Sequence, residues 1–135
     1  FNIQKTDVKN LSKKFEAGSI DLIVTEPFMG DARLLHRTNE RQTIQKIIQE
    51  LQELYTTAFG EFKKILKPDS KIVFIFPVFN INNQKIYTLD VDIISQLGFE
   101  LQLPDTKSPR LSPSGNLIYS RDSQKVLREI TIWTN

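Results

Sequence analysis

The chain has 135 residues, 39% of them hydrophobic and 25% charged, which fits one domain with a core of its own. Its formal charge of +2 is too small to argue for a nucleic-acid partner by itself. No run of 18 apolar residues marks a membrane span, and the polar start Phe1-Asn2-Ile3-Gln4-Lys5 is not a signal peptide. With no cysteine and a single histidine, His36, disulfides, thiolate metal sites and histidine-rich metal centres are excluded, and a cytoplasmic location fits. The chain starts with Phe rather than Met, inside an apolar/polar alternation, and so reads as a piece of a longer protein.

Phe1 to Lys5 alternates apolar and polar, which predicts a half-buried strand. Asp7 ends it. Val8, Leu11 and Phe15 are spaced like one face of a short helix, for which Asp7 is a natural N-cap. Glu16 to Ser19 predicts a turn. Ile20, Leu22, Ile23 and Val24 then form a β-branched-rich run without helical period. That is the pattern of a strand, Ile20 to Thr25, buried on both faces. Glu26-Pro27-Phe28-Met29-Gly30 stops it, because Pro27 cannot donate to a ladder and Gly30 permits a sharp turn. Ligands of open α/β sheets bind at the carboxyl ends of strands. An acid, a fixed carbonyl and an aromatic are thus presented where ligands bind. The polar stretch Asp31 to Asn39 holds Arg33, His36 and Arg37, cations that reach phosphate or base, or simply face solvent.

A long helix is predicted over about Glu40 to Leu66, where Ile44, Ile47, Leu51, Leu54, Tyr55, Ala58, Phe59, Phe62 and Ile65 recur at steps of three and four. Asn39 with Gln42 resembles a capping box. Gly60 inside this pattern is expected where the helix backbone approaches the sheet closely. Lys67 to Ser70 predicts a turn, and Ile72 to Phe76 a continuous apolar strand ended by Pro77. Asn80 to Gln84 is a polar loop where substrate contacts fall if it shares the sheet edge. Tyr87 to Leu97 predicts a short helix closed by Gly98, and Phe99 to Leu103 a one-sided strand nearer an edge. Pro104 to Gly115 is a long loop. Leu117 to Arg121 and Val126 to Thr134 make two strands around Asp122-Ser123-Gln124. Tyr119, Arg121, Gln124 and Arg128 form a patch that faces RNA or a partner, or bonds within the hairpin. This order indicates an α/β sheet, mostly parallel, with an antiparallel C-terminal strand.

Asp21-Leu22-Ile23-Val24-Thr25-Glu26-Pro27-Phe28-Met29-Gly30 resembles the catalytic motif of class I S-adenosylmethionine-dependent methyltransferases that modify exocyclic amino groups of nucleic-acid bases. That motif is an acid or amide, two prolines and an aromatic at the end of the fourth strand. The context is most similar to the tRNA guanine-N2 methyltransferase group. Glu26 stands in place of the Asp, Phe28 in place of the second proline and Met29 at the aromatic position. The approach Leu66-Lys67-Pro68 to the next strand, and the string from Tyr119-Ser120-Arg121 to Glu129-Ile130, resemble the same group.

The resemblance implies a Rossmann-like methyltransferase sheet that is incomplete, its first strands absent. Residues 1–135 are then the C-terminal portion of a single methyltransferase domain. It implies methyl transfer to a base amino group, guanine in tRNA. The alternatives are a DNA amino-methyltransferase and a non-catalytic RNA- or protein-binding relative. Under the resemblance Glu26, Pro27 and Phe28 are catalytic, and Met29, Arg33, His36, Arg37 and Arg121 bind substrate. Asp7 would hydrogen-bond the adenine amino group of the cofactor, S-adenosyl-L-methionine; no metal is implied. The family's Gly-rich donor loop has no counterpart, since Gly18, Gly30, Gly60, Gly98 and Gly115 are all far apart. The donor-binding strands and an RNA-binding N-terminal region are therefore expected outside the chain, which alone would be inactive. Phe1 to Lys5 is then expected to pair beside Ile20 to Thr25, to be displaced, or to swap into a second copy in a homodimer.

Overall fold

The computed structural model describes residues 3–31, 41–105, 107, 108 and 110–135. Among these residues six strands and two α-helices follow a short 3₁₀ helix, Val8–Lys13. They are β1 (Ile20–Thr25), α1 (Arg41–Ile65), β2 (Leu66–Ile81), β3 (Gln84–Tyr87), α2 (Val91–Gln96), β4 (Glu100–Gln102), β5 (Leu117–Tyr119) and β6 (Val126–Thr134). Among the described residues no helix is long and apolar enough to cross a membrane.

Strand β2 is the spine. One edge pairs antiparallel with β6 from Lys71↔Thr134 to Phe79↔Val126. The other edge pairs parallel with β1 up to Thr25↔Phe74 and antiparallel with β3 from Val78↔Tyr87 onward. Val78 and Phe79 meet β6 and β3 at once, so β3 lies in the lane of β1, beyond its carboxyl end. On the far side of β6 lie β4 and β5, both antiparallel to it.

The α/β class and the open sheet are as expected, but the sheet is not mostly parallel: among the described residues only the β1–β2 pairing is. The reason lies in the connections. Only α1 carries the chain back along the sheet as a parallel crossover needs. By contrast β2 returns into β3 through Asn82-Asn83, both at positive φ (49° and 63°), as a two-residue type I′ hairpin requires.

Helix α1 buries Ile44, Leu51, Tyr55, Ala58, Phe59, Phe62 and Ile65 on one face, against Ile72, Phe74 and Phe76 of β2 and Trp133 of β6. The Phe59 ring is at the centre, 5.0 Å from Phe74, 5.3 Å from Phe99 and 5.8 Å from Trp133. Each such ring contributes roughly 1.5–3 kcal/mol by leaving water. A Cβ added at Gly60 would have nothing within 4 Å, so the close approach to the sheet expected there does not occur. The capping box at Asn39 lies outside the described residues.

Other expectations change for identifiable reasons. Strand β1 is not buried on both faces: Leu22 is 55% and Val24 68% exposed, because α1 covers one face only. Lys67 to Ser70 is a bulge rather than a turn. Ile20 faces Leu66 while Leu22 already faces Lys71, and the extra residues loop out through Asp69 at φ 59°. Pro77 does not end β2. Its carbonyl accepts a 2.7 Å bond from the Thr88 hydroxyl, so its backbone faces the β1–β3 lane and its missing N–H removes no rung to β6. Ile3 to Lys5 forms no strand; an alternating pattern needs a ladder partner, and among the described residues it has none.

The segment after Lys5 turns into the 3₁₀ helix, whose Val8 and Leu11 pack on the core under α1. The Ser12 backbone N–H donates to Glu61 Oε2 at 2.9 Å, and Lys64 Nζ donates to Glu61 Oε1. The Lys64 hydrogen bond, then the bonds from Ser12, hold the Glu61 carboxyl at about 2, below its usual 4.5. A depressed carboxyl favours the folded state fully above pH 4.5 and loses that effect as pH falls toward 2. Acid titration followed by tryptophan fluorescence should therefore show a destabilisation between pH 4.5 and 2 that Glu61→Gln reduces. Superimposable wild-type and Glu61→Gln profiles would contradict this account of how the segment is docked.

Candidate active site

Strand β1 ends at Thr25, and Glu26-Pro27-Phe28 leave the sheet between the end of β1 and the hairpin of β3. Two long-range ties fix their course. The Tyr55 hydroxyl, on the buried face of α1, donates to the Phe28 carbonyl at 2.7 Å. Burial pushes the Tyr55 phenol up, so this donor keeps its proton throughout the physiological range. Gly30 then turns at φ 92°, with Ile47, Leu51 and Phe79 around it. A side chain at that φ would be strained.

The second tie holds the acid. Arg128 Nε, on β6, donates to Glu26 Oε1 at 2.8 Å. Both side chains are partly exposed, so the pair is worth at most about 1 kcal/mol. Its consequence is geometric: it aims a carboxylate at the mouth of the β1–β3 lane. Phe28, two residues on, is 64% exposed. An uncovered aromatic beside an oriented carboxylate is a stacking platform next to a hydrogen-bond acceptor.

Arg121 belongs to the same row. Tyr119 faces Arg128 in the β5–β6 register, and Arg121 Nε donates to the Tyr119 phenolic oxygen at 3.1 Å. Glu26, Arg128, Tyr119 and Arg121 thus form a line across the sheet from β1 to β5. Met29 and Pro27 are half-buried in the turn. Asp7 stands at the N-terminus of the 3₁₀ helix, where its Oδ1 accepts the Lys9 N–H at 3.0 Å, so the capping alternative is realised. Arg33, His36 and Arg37 lie outside the described residues. Sequence reasoning places Tyr55 in the core and Arg128 in a hairpin patch. Neither tie to the motif is visible in the sequence, because the partners are 27 and 102 residues apart.

No family model and no curated protein matches the sequence. Nine solved chains match the structure. Among them are three structures of one protein, a candidate DNA modification methylase from Thermus thermophilus. One gives a TM-score of 0.54 at 17% identity, covering 96% of this chain and 52% of that one. A selenomethionine derivative gives 0.51 at 14%, with 96% and 50% covered. The complex with S-adenosyl-L-methionine gives 0.53 at 13%, with 96% and 51% covered. The chain has a methyltransferase-like fold. It spans about half the length of these neighbours.

The Arg121 hydrogen bond holds the Tyr119 phenol below the usual tyrosine range, with the charges of Arg121 and Arg128 adding to it. Burial pushes Tyr55 and Tyr87 the other way. Tyr119 should therefore be the first of the three tyrosines to ionise, and Arg121→Gln should return it toward about 10. Phenolate absorbance against pH measures this; a first transition unmoved by Arg121→Gln would break the proposed row.

Proposed function

We propose that this chain carries the catalytic-motif half of an S-adenosylmethionine-dependent methyltransferase acting on an exocyclic amino group of a nucleic-acid base. The observation that carries the reading is Glu26-Pro27-Phe28 at the carboxyl end of β1. There the acid is oriented by Arg128 and the ring is open to solvent, within a methyltransferase-like sheet. The name of the Thermus neighbour points the same way.

An exocyclic amino nitrogen is a poor nucleophile because its lone pair is delocalised into the base. A fixed acceptor that bonds an amino hydrogen favours the pyramidal form, in which the lone pair is available. Glu26 supplies that acceptor, and the amino proton released on methylation has Glu26 or solvent to go to. Phe28 stacks on the base once it leaves its helix, as side chains do in enzymes acting on extruded bases. Little proton-transfer power is needed, so positioning dominates.

The residues present do not by themselves make a donor site. The glycines are dispersed, and Asp7, which caps the 3₁₀ helix through Oδ1, is a single acid. We infer that the methyl donor is held chiefly by residues outside this chain, packed along the open edge of β1, the end strand of the sheet. In the isolated chain a second copy would compete for that edge. Asp7 then contributes to the adenine end of the donor, and Met29 and Arg121 to the substrate side, with Arg33, His36 and Arg37 as further substrate contacts.

For the target we favour guanine in tRNA, on the string from Tyr119 to Ile130. The second reading, adenine or cytosine in DNA, is favoured by the Thermus neighbour. The whole protein incubated with methyl-labelled S-adenosylmethionine and either tRNA or duplex DNA, followed by nucleoside mass analysis, separates them. We expect N2-methylguanosine in tRNA. N6-methyladenine or N4-methylcytosine in DNA would establish the second reading, and no labelled nucleoside from either substrate would refute both.

A further inference from the structure

A second feature of the same sheet edge takes no part in the motif. The first turns of α1 and the β2–β3 hairpin enclose a cleft of about 320 Å³, within the size range of small-ligand sites. Its floor is apolar: Ile44 and Ile81 are 1% and 7% exposed, and Ile86 completes it. Its rim is polar and, among the described residues, carries no acid: Arg41 and Gln45 on α1, Asn82 and Gln84 on the hairpin. Among the described residues none of these four side chains is engaged in a hydrogen bond or ion pair.

We propose that this cleft binds the base of a nucleotide that flanks the one being modified. The inference rests on the nucleic-acid reading above for the identity of its ligand, while the cleft itself stands apart from Glu26 and Phe28. An apolar floor accepts the flat face of a base. Three side-chain amides each offer a donor and an acceptor, which is what base edges present in turn. Arg41 adds a cation with bidentate geometry for phosphate.

Its position selects a flanking base rather than the target. Gly30, which closes the motif, packs on Ile47 and Phe79. The cleft floor begins at Ile44 and Ile81, one helical turn and two strand residues farther along the same two elements. Those steps are roughly 5 to 7 Å, the order of one or two nucleotide steps along a strand. The hairpin presents Asn82 and Gln84 from a tight two-residue turn, with Asn82 and Asn83 both at positive φ.

The test is a nitrogen-15 NMR titration of the 135-residue chain with guanosine, adenosine and cytidine 5′-monophosphates, in ribo and deoxy forms, with inorganic phosphate as the control. We expect saturable shifts at the backbone amides of Gln45, Asn82 and Gln84 with at least one nucleotide. The ribo and deoxy arms tell RNA from DNA, and preference for either supports the site. The double variant Arg41→Ala/Gln84→Ala, confined to exposed side chains, should weaken binding about tenfold or more. Shifts confined to Glu26 to Gly30 would overturn the cleft and leave the proposed function standing. Equal shifts with inorganic phosphate, or an unchanged affinity in the double variant, would also overturn it. Nucleotide binding in the cleft of a protein that transfers no methyl group would uphold the site and refute the proposed function.

Discussion

Strand β2 must satisfy two edges at once, and the rest of the structure follows from how it does so. One edge is taken continuously by β6. The other is divided, with β1 on the first part and β3 on the last. Between Phe74 and Val78 that second edge has no strand neighbour among the described residues. There the chain leaves β1 as Glu26-Pro27, and Pro77 occupies the facing stretch of β2. A proline is tolerated where no rung is required of its nitrogen, so the same local fact explains both the proline in mid-strand and the opening that presents the acid.

The motif is held in place by geometry more than by energy. A buried phenol to a carbonyl and a half-exposed guanidinium to a carboxylate contribute on the order of 1 kcal/mol each. That is small beside the apolar burial of the Phe59 cluster, which fixes α1 on the sheet and with it Tyr55. Positioning is inherited from the core: α1 carries the tie to Phe28, and β6 carries the tie to Glu26.

Much of this is legible in the sequence where a residue pattern answers to one local cause. β1 and β6 have their expected bounds because β-branched runs are cut off sharply by turn residues. α1 is within a residue of expectation at each end because its apolar period of three and four persists along its whole length. What is not legible depends on neighbours the pattern cannot name. Ile3 to Lys5 belongs to an alternation like that of a strand, yet alternation supplies no partner edge among the described residues. Val24 looks like core, and becomes so only when something covers the second face of β1. Gly60 looks like a close-packing site, but open space surrounds it. The site divides likewise. Glu26, Pro27 and Phe28 stand out because an acid, a proline and an aromatic follow a strand. Tyr55 and Arg128 do not, because each reaches the motif from a different element.

The central claim is that Glu26 acts in the transfer step rather than in the fold. The most direct measurement is single-turnover methyl transfer by the whole protein carrying Glu26→Ala, with thermal unfolding measured on the same samples. The account predicts a loss of rate on the order of 100-fold or more, with a melting temperature within a few degrees of wild type, since an exposed ion pair contributes little stability. An undiminished rate, or a loss matched by unfolding at the assay temperature, would contradict it.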